Sequence, residues 1–150
     1  MKKLFTILFI SLTAAASSQI VATLELKEDV LGICNKKEVY ALFPSLAGQK
    51  EAVCSKSKDD LLKDLNDIPF IKSADPKFKS KGMVNILVNF KGQVVQCEID
   101  NKTKDPALDK QIVAVFKTLT FTESGKLNGK SVDSSLLYSF KIKKGEITWN

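Results

Sequence analysis

The chain has 150 residues and a formal net charge of +6, and all 23 of its basic residues are lysine. Because histidine is absent, the composition excludes Ser–His–Asp triads, Cys–His dyads and histidine-ligated metal sites. Arginine is absent too, and its planar fork is the group that phosphate and nucleic-acid sites usually exploit. With its lysines scattered along the sequence, the chain is expected to have no nucleic-acid partner. We assign the lysines to solubility and to guarding strand edges.

The first eighteen residues have the form of a targeting segment. Lys2 and Lys3 precede an apolar run from Leu4 to Ala16. As a helix this run would span about 20 Å, which is short of the ~30 Å bilayer core. We expect a signal peptide over residues 1–18, cut after Ala16 or Ser18, and therefore an exported protein of the periplasm or cell envelope. No integral membrane segment is expected after cleavage. An uncleaved signal anchor is the alternative.

Residues 19–69 are predicted to form a smaller, mostly helical N-terminal region. Weak alternation over 20–33 allows a first strand, and residues 35–43 favour a short helix that Pro44 stops. A better helix opens at Ser57, with Asp60 completing a weak capping box. Pro69 ends that segment.

Three cysteines occur in this exported chain. Cys97 replaces an apolar residue in the alternation of a predicted strand, so we interpret it as a small buried thiol. That interpretation favours a Cys34–Cys54 disulfide, which would close about twenty residues and contribute roughly 3 kcal/mol in the chain-entropy model. Pairings that involve Cys97 stay open.

Residues 70–150 carry the clearest pattern of the chain. After a polar connector with a turn at Asp75-Pro76, residues 82–90 alternate apolar and polar, and residues 94–100 alternate again. Lys91-Gly92 between them suits a two-residue hairpin turn. The alternation returns over residues 131–143, which predicts a third strand.

A helix is predicted between the second and third of these strands. Asp105 can cap it while Pro106 takes the first position, where no amide donor is needed. A calcium loop at Asp100–Asp105 is disfavoured because Lys102 and Lys104 would repel the cation. The predicted fold is α+β: a three-stranded antiparallel sheet with one packed helix, in the order ββαβ. The apolar stripe of the helix comprises Leu108, Ile112, Val115, Phe116 and Leu119.

This C-terminal unit resembles the C-terminal domain of TonB. The motifs that carry the resemblance are Gly82-x-Val84, Gly92-x-Val94, Asp105-Pro106-x-Leu108-Asp109, Gly125, Gly129-Lys130-x-Val132 and Phe140. The resemblance implies a periplasmic ββαβ sheet that binds the N-terminal "TonB box" of an outer-membrane receptor as an added strand. It places the peptide-binding edge on the last strand. Lysines guard the end of that strand, so the expected site is Ser134, Ser135, Leu136, Leu137, Tyr138 and Ser139.

The resemblance implies a binding module. The residues show no activated nucleophile, so we expect no enzyme, and no catalytic residue, metal or cofactor. Only four prolines occur and none cluster, so the proline-rich spacer and membrane anchor of an energy transducer are not expected. The expected partner is a protein or peptide, such as a TonB-dependent outer-membrane receptor, or a second copy of the chain. The alternatives are a structural or self-associating envelope protein, and a secreted enzyme with its site around Cys34 and Cys54. Trp149 either covers a sheet edge or frays.

Overall fold

The structure is a computed structural model that describes residues 20–150. Strands gathered into sheets and a few helices make it an α+β protein, as the sequence predicts. The predicted signal peptide over residues 1–18 lies outside the described residues. Within those residues, no helix combines the length and apolar character needed to cross a membrane.

The N-terminal region begins with strands, so the expectation of a mostly helical region is wrong for residues 20–57. Residues 35–43 do not form the predicted helix, because Val39 is fully buried in a strand and the Tyr40 amide donates to the Asp133 carbonyl. Sheet pairing thus overrides the helical preference of this segment. The strands are β1 (Ala22–Leu24), β2 (Val39–Ala41), β3 (Gln49–Lys50) and β4 (Val53–Cys54).

Two helices follow, α1 (Lys58–Asn66) and α2 (Pro69–Ser73). The predicted cap of α1 is confirmed: the Ser57 hydroxyl accepts the Asp60 amide at 3.1 Å and donates to the Asp60 carboxylate at 2.7 Å. The hydrogen bond from Ser57, with one from Lys63, lowers the pKa of Asp60. Pro69 does end the first helical segment, and it also opens α2 at the position where a missing amide donor costs nothing.

The C-terminal region supplies the long strands and the covering helix. The Asp105 carboxylate caps α3 by accepting the Ala107 and Leu108 amides at 2.8 and 3.1 Å, as predicted. The elements are β5 (Ser80–Val88), β6 (Val94–Asn101), α3 (Pro106–Phe116), β7 (Phe121–Glu123), β8 (Gly125–Leu127), β9 (Lys130–Val132), β10 (Ser134–Lys143) and β11 (Glu146–Trp149).

The main sheet is larger than the three strands expected. Its order is β1-β2-β10-β5-β6, and β11 also pairs with β10. Strands β10, β5 and β6 are antiparallel neighbours, while β2 runs parallel to the start of β10. Two small sheets, β3-β8-β9 and β4-β7, join the N-terminal strands to the segment after α3. The N-terminal region and the C-terminal strands therefore share one sheet.

One buried aspartate interrupts the predicted last strand. Asp133 lies between β9 and β10 and is 5% exposed. Its carboxylate accepts the Phe90 amide and the Cys34 amide, each at 2.7 Å. Because its carbonyl also accepts the Tyr40 amide at 2.9 Å, this residue ties together three segments that are distant in sequence.

The core lies between α3 and one face of the main sheet. Leu108, Ile112 and Phe116 of α3 are fully buried in one apolar cluster with the apolar even-numbered residues of β5 and β10 and with residues of α1 and α2. Gly82 of β5 pairs with Phe140 of β10, and a Cβ added to Gly82 would lie about 3.0 Å from the Phe140 Cε2 atom. The Phe140 ring thus occupies the space that a side chain at position 82 would fill.

The outer edge of β11 is closed by a side chain of α1. The Asn66 amide oxygen accepts the Ile147 amide at 2.8 Å, and its nitrogen donates to the Ile147 carbonyl at 3.0 Å. One side chain thus takes the place of a neighbouring strand and guards the edge. Trp149 belongs to β11 and pairs with Phe140 of β10. Of the two alternatives for Trp149, the structure therefore contains the one in which this residue covers a sheet edge.

Replacing Asn66 by aspartate is expected to lower the free energy of unfolding by about 2 kcal/mol. The substitution removes the donor to the Ile147 carbonyl and leaves a carboxylate facing it. Urea unfolding followed by circular dichroism measures the change. Asn101→Asp, the same chemical change at an exposed residue, should not destabilise; an equal loss in both variants would contradict the role given to Asn66.

Candidate functional site

The residues predicted to bind a peptide lie along β10, and the chain itself covers most of that edge. Ser134 and Ser135 pair with β2, and residues 140–143 pair with β11. The Ser139 carbonyl accepts the Asn150 amide at 3.1 Å. Within residues 20–150, β10 therefore pairs with β5 alone only at its central residues, Leu136, Leu137 and Tyr138.

The side chains at this centre face in two directions. Leu136 packs into the core, whereas Leu137 is 55% exposed on the opposite face of the sheet. The Tyr138 ring lies 5.2 Å from the Phe116 ring and 5.9 Å from the Trp149 ring, and burial raises the pKa of Tyr138 to about 12. A peptide that paired along Ser134–Ser139 would have to displace β2 and the end of the chain. Peptide docking on the β10 edge stays a prediction, and it requires the displacement of β2 and of the end of the chain.

The predicted Cys34–Cys54 disulfide is not formed in the structure, where all three cysteines are free thiols. The two cysteines are held by different partners: the Cys34 backbone by the Asp133 carboxylate, and Cys54 by pairing with Phe121 in β7. Cys97 is 8% exposed, which confirms the small buried thiol, and burial raises its pKa.

A second edge, on β6, is open over a longer stretch. Residues 94–101 pair with β5 on one side, and in the described part of the chain no strand pairs with the other side. The side chains of Glu98, Asp100 and Asn101 are exposed. Unpaired backbone donors and acceptors along such a strand form a template for another extended chain.

An apolar groove of about 450 Å³ lies between the β6 strand and α3. Its only acidic lining residue, Asp109, is 7% exposed, and its carboxylate accepts the amide and hydroxyl of Thr103 at 2.9 and 2.6 Å. The Asp109 carboxylate is therefore already hydrogen-bonded within the chain, and the lysines around the groove give the groove a positive rim. The lining is Ile99 and Lys102 at β6, with Pro106, Asp109, Lys110, Val113, Ala114 and Lys117 of α3.

Sequence reasoning missed this groove because it followed only the buried stripe of the helix. A second stripe was readable: Pro106, Lys110, Val113 and Lys117 recur at steps of four, three and four residues, which places them on one helix face. A valine between two lysines on that face is the signal that could have located the groove beside β6.

A third surface is acidic. Residues 25–30 lie over the face of the sheet opposite α3 and enclose a cavity of about 610 Å³ with β5 and β6. Lys36 binds one of its carboxylates, Asp29, at 2.9 Å. Nowhere in residues 20–150 are three or more acidic or cysteine side chains grouped so that they could hold a metal ion. The acidic residues that line the cavity are Glu25, Glu28, Asp29, Glu98 and Asp100.

The β6 edge and the α3 groove together offer backbone pairing, an apolar floor and a positive rim. These are the elements by which a protein binds an extended chain as an added strand. Comparison of the chain with protein-family models, with curated proteins and with solved structures finds no match.

Proposed function

We propose that this protein is an exported binding module of the periplasm or cell envelope that docks an extended peptide by strand addition. The observation that carries the proposal is the eight-residue β6 edge, which has no strand partner among residues 20–150 and lies beside an apolar groove. Main-chain hydrogen bonds to β6 would supply affinity, and the groove would receive alternate side chains of the peptide.

The proposal includes the resemblance to the TonB C-terminal domain. It is supported by the order β5, β6, α3, β10, with β5 between β10 and β6 and α3 buried against the sheet. Under this proposal the partner is the extended segment of a TonB-dependent outer-membrane receptor. The docking edge differs from that implied by the resemblance, because β10 is largely covered and β6 is open.

The charge at the groove favours an acidic peptide. Lys102, Lys110 and Lys117 are exposed and line it, and the one acidic lining residue is turned inward toward Thr103. A strand paired with β6 would alternate its side chains between the two faces of the sheet. Acidic residues of the peptide on the α3 face would meet the lysine rim, and its apolar residues on the other face would avoid charge repulsion from Glu98 and Asp100.

The test is a titration of the isotope-labelled protein with two synthetic peptides, one alternating valine with glutamate and one alternating valine with lysine. The acidic peptide is expected to shift the backbone amides of residues 94–101 more than those of residues 136–138. Reversal of both groove charges, Lys110→Glu with Lys117→Glu, should weaken binding by about tenfold, since each rim pair contributes up to about 1 kcal/mol.

A matched control carries the same charge change elsewhere. Lys58 and Lys130 are exposed and do not line the groove, so Lys58→Glu with Lys130→Glu should bind the acidic peptide nearly as well as the native protein. Shifts confined to residues 134–139 would assign docking to β10 instead. The proposed function would be overturned if neither synthetic peptide, nor a TonB-box peptide, produced a saturable shift at either edge.

The same open edge favours one alternative, which is pairing of β6 with β6 of a second copy. Such pairing would bury the unpaired edge of both copies in a closed two-fold dimer. Sedimentation at rising concentration distinguishes the two: a monomer that gains mass only on adding peptide supports peptide docking, and a concentration-dependent dimer supports self-association.

A further inference from the structure

Six lysines converge on a cleft at one end of the main sheet. The cleft has a volume of about 620 Å³ and lies where β5 begins, β6 ends and β10 ends. All six lysine side chains are exposed. The sequence shows these residues as scattered, but the fold gathers them. They are Lys79, Lys81, Lys102, Lys104, Lys141 and Lys143.

The positive charge in this lysine cleft is not compensated by the described residues. None of the six lysines forms an ion pair in residues 20–150, and no acidic side chain lines the cleft. Glu146 is the strand partner of Lys143 in the β10–β11 register, but their side chains form no ion pair. Lys81 and Lys141 are direct cross-strand partners on the face opposite the core. Like charges in that position repel and destabilise a sheet.

The cleft holds more positive charge than the described chain as a whole. Without Lys2 and Lys3, the formal charge of +6 becomes +4 for residues 20–150, which is less than the six charges in the cleft. The rest of the described surface is therefore net negative. An approaching polyanion would therefore be attracted to this end of the sheet more strongly than to the rest of the surface as a whole.

We propose that the lysine cleft docks the protein on an anionic phospholipid surface. Each lysine contributes a point charge on a flexible stem, which suits the mobile phosphates of a bilayer more than one fixed phosphate. The lining of the cleft is mostly aliphatic and the lysine stems are flexible, so the ammonium groups can reach a planar surface. A cluster of this size is typical of proteins held at anionic membranes by electrostatics.

Other polyanions fit the cleft less well. No aromatic or arginine side chain lines it, and such side chains supply base stacking and bidentate phosphate contacts in nucleic-acid sites. A second copy could offer the acidic cavity under residues 25–30, and such pairing would appear as salt-reversible self-association in place of vesicle binding. The inference is independent of peptide docking, since the lysine cleft shares only Lys102 with the lining of the α3 groove.

The experiment is co-sedimentation of the protein with vesicles of phosphatidylcholine, with and without an equal part of phosphatidylglycerol. Binding is expected only with phosphatidylglycerol, and it should be lost in about 0.5 M salt, where charges are screened within a few ångströms. Neutralising four lysines of the cleft (Lys79→Gln, Lys81→Gln, Lys141→Gln, Lys143→Gln) should lower the partition coefficient at least ~100-fold. Four lysines outside it (Lys37→Gln, Lys58→Gln, Lys91→Gln, Lys130→Gln) form the matched control and should have a far smaller effect.

A single substitution separates a role in binding from a role in folding. Lys141→Glu would place a carboxylate opposite Lys81, so it should raise Tm while it weakens vesicle binding. Equal loss of binding in the two four-lysine variants would overturn the proposal. So would binding to pure phosphatidylcholine, binding of soluble polyphosphate without vesicles, or salt-reversible self-association in place of vesicle binding.

Discussion

Replacement of Asp133 by alanine is expected to lower the free energy of unfolding by about 3 kcal/mol, because a buried carboxylate and the two partly buried hydrogen bonds that it accepts are lost. The Asp133 carboxylate holds the Phe90 and Cys34 amides at 2.7 Å each. Removing it would release the hairpin between β5 and β6 and the segment before β2 together. Urea unfolding followed by circular dichroism and by tryptophan fluorescence measures the loss.

Two further variants make this expectation specific. Asp133→Asn keeps one acceptor oxygen, so it should cost clearly less than alanine. Asp59→Ala changes an exposed carboxylate in α1 and should stay within about 1 kcal/mol of the native protein. A loss for Asp133→Ala no greater than for Asp59→Ala would mean that Asp133 does not join the three segments.

Substitution of Gly82 by alanine is expected to destabilise the protein by about 2–3 kcal/mol through overpacking. A Cβ at this position would collide with the Phe140 ring, whose Cε2 and Cε1 atoms would lie 3.0 and 3.1 Å away. Phe140 is fully buried, so its ring has no free space to enter. Alanine would otherwise favour the strand over glycine by about 0.5–1 kcal/mol, and the collision outweighs that gain.

A double-mutant cycle tests whether the ring is the cause. Phe140→Leu should lower stability on its own, and in that background Gly82→Ala should cost less than in the native protein, because leucine does not cover Gly82. Thermal unfolding of the four proteins gives the coupling free energy. Costs that simply add would show that another neighbour, and not Phe140, excludes a side chain at position 82.

Local sequence signals predicted the elements whose causes are local. The Ser57 and Asp105 caps, the α3 stripe and the alternation of β5 and β6 depend on residues a few positions apart, and each is present in the structure. The turn after β5 is partly different. It is longer than two residues, because the Asn89 amide donates to the Gln93 carbonyl and the Asn89 side chain binds the turn.

Elements held by distant partners could not be predicted in the same way. The strand at Val39–Ala41 exists because β1 and β10 flank it, and nothing within residues 35–43 shows that partnership. The break at Asp133 likewise depends on Phe90 and Cys34. Strand β11 does have a local signal, because the Lys144-Gly145 pair suits a two-residue hairpin turn. In the structure both residues have positive φ, and the turn returns the chain along β10.

The candidate site was only half predictable for the same reason. Alternation indicated that a sheet with open edges would form, but which edge stays open depends on where the remaining strands pair. The sequence placed Ser134–Ser139 on the last long strand correctly. It could not show that β2, β11 and Asn150 would cover that strand or that β6 would remain uncovered.

The closure of β11 by Asn66 limits how copies of this protein can join. In residues 20–150, the eight-residue β6 is the only edge longer than three residues that neither a strand nor a side chain covers, and three residues offer too few hydrogen bonds for a stable ladder. If two copies pair through β6, neither retains a long edge for a third. Growth by strand pairing would therefore stop at a dimer and would not continue into a fibre, and the side chain of one helix residue is part of that limit.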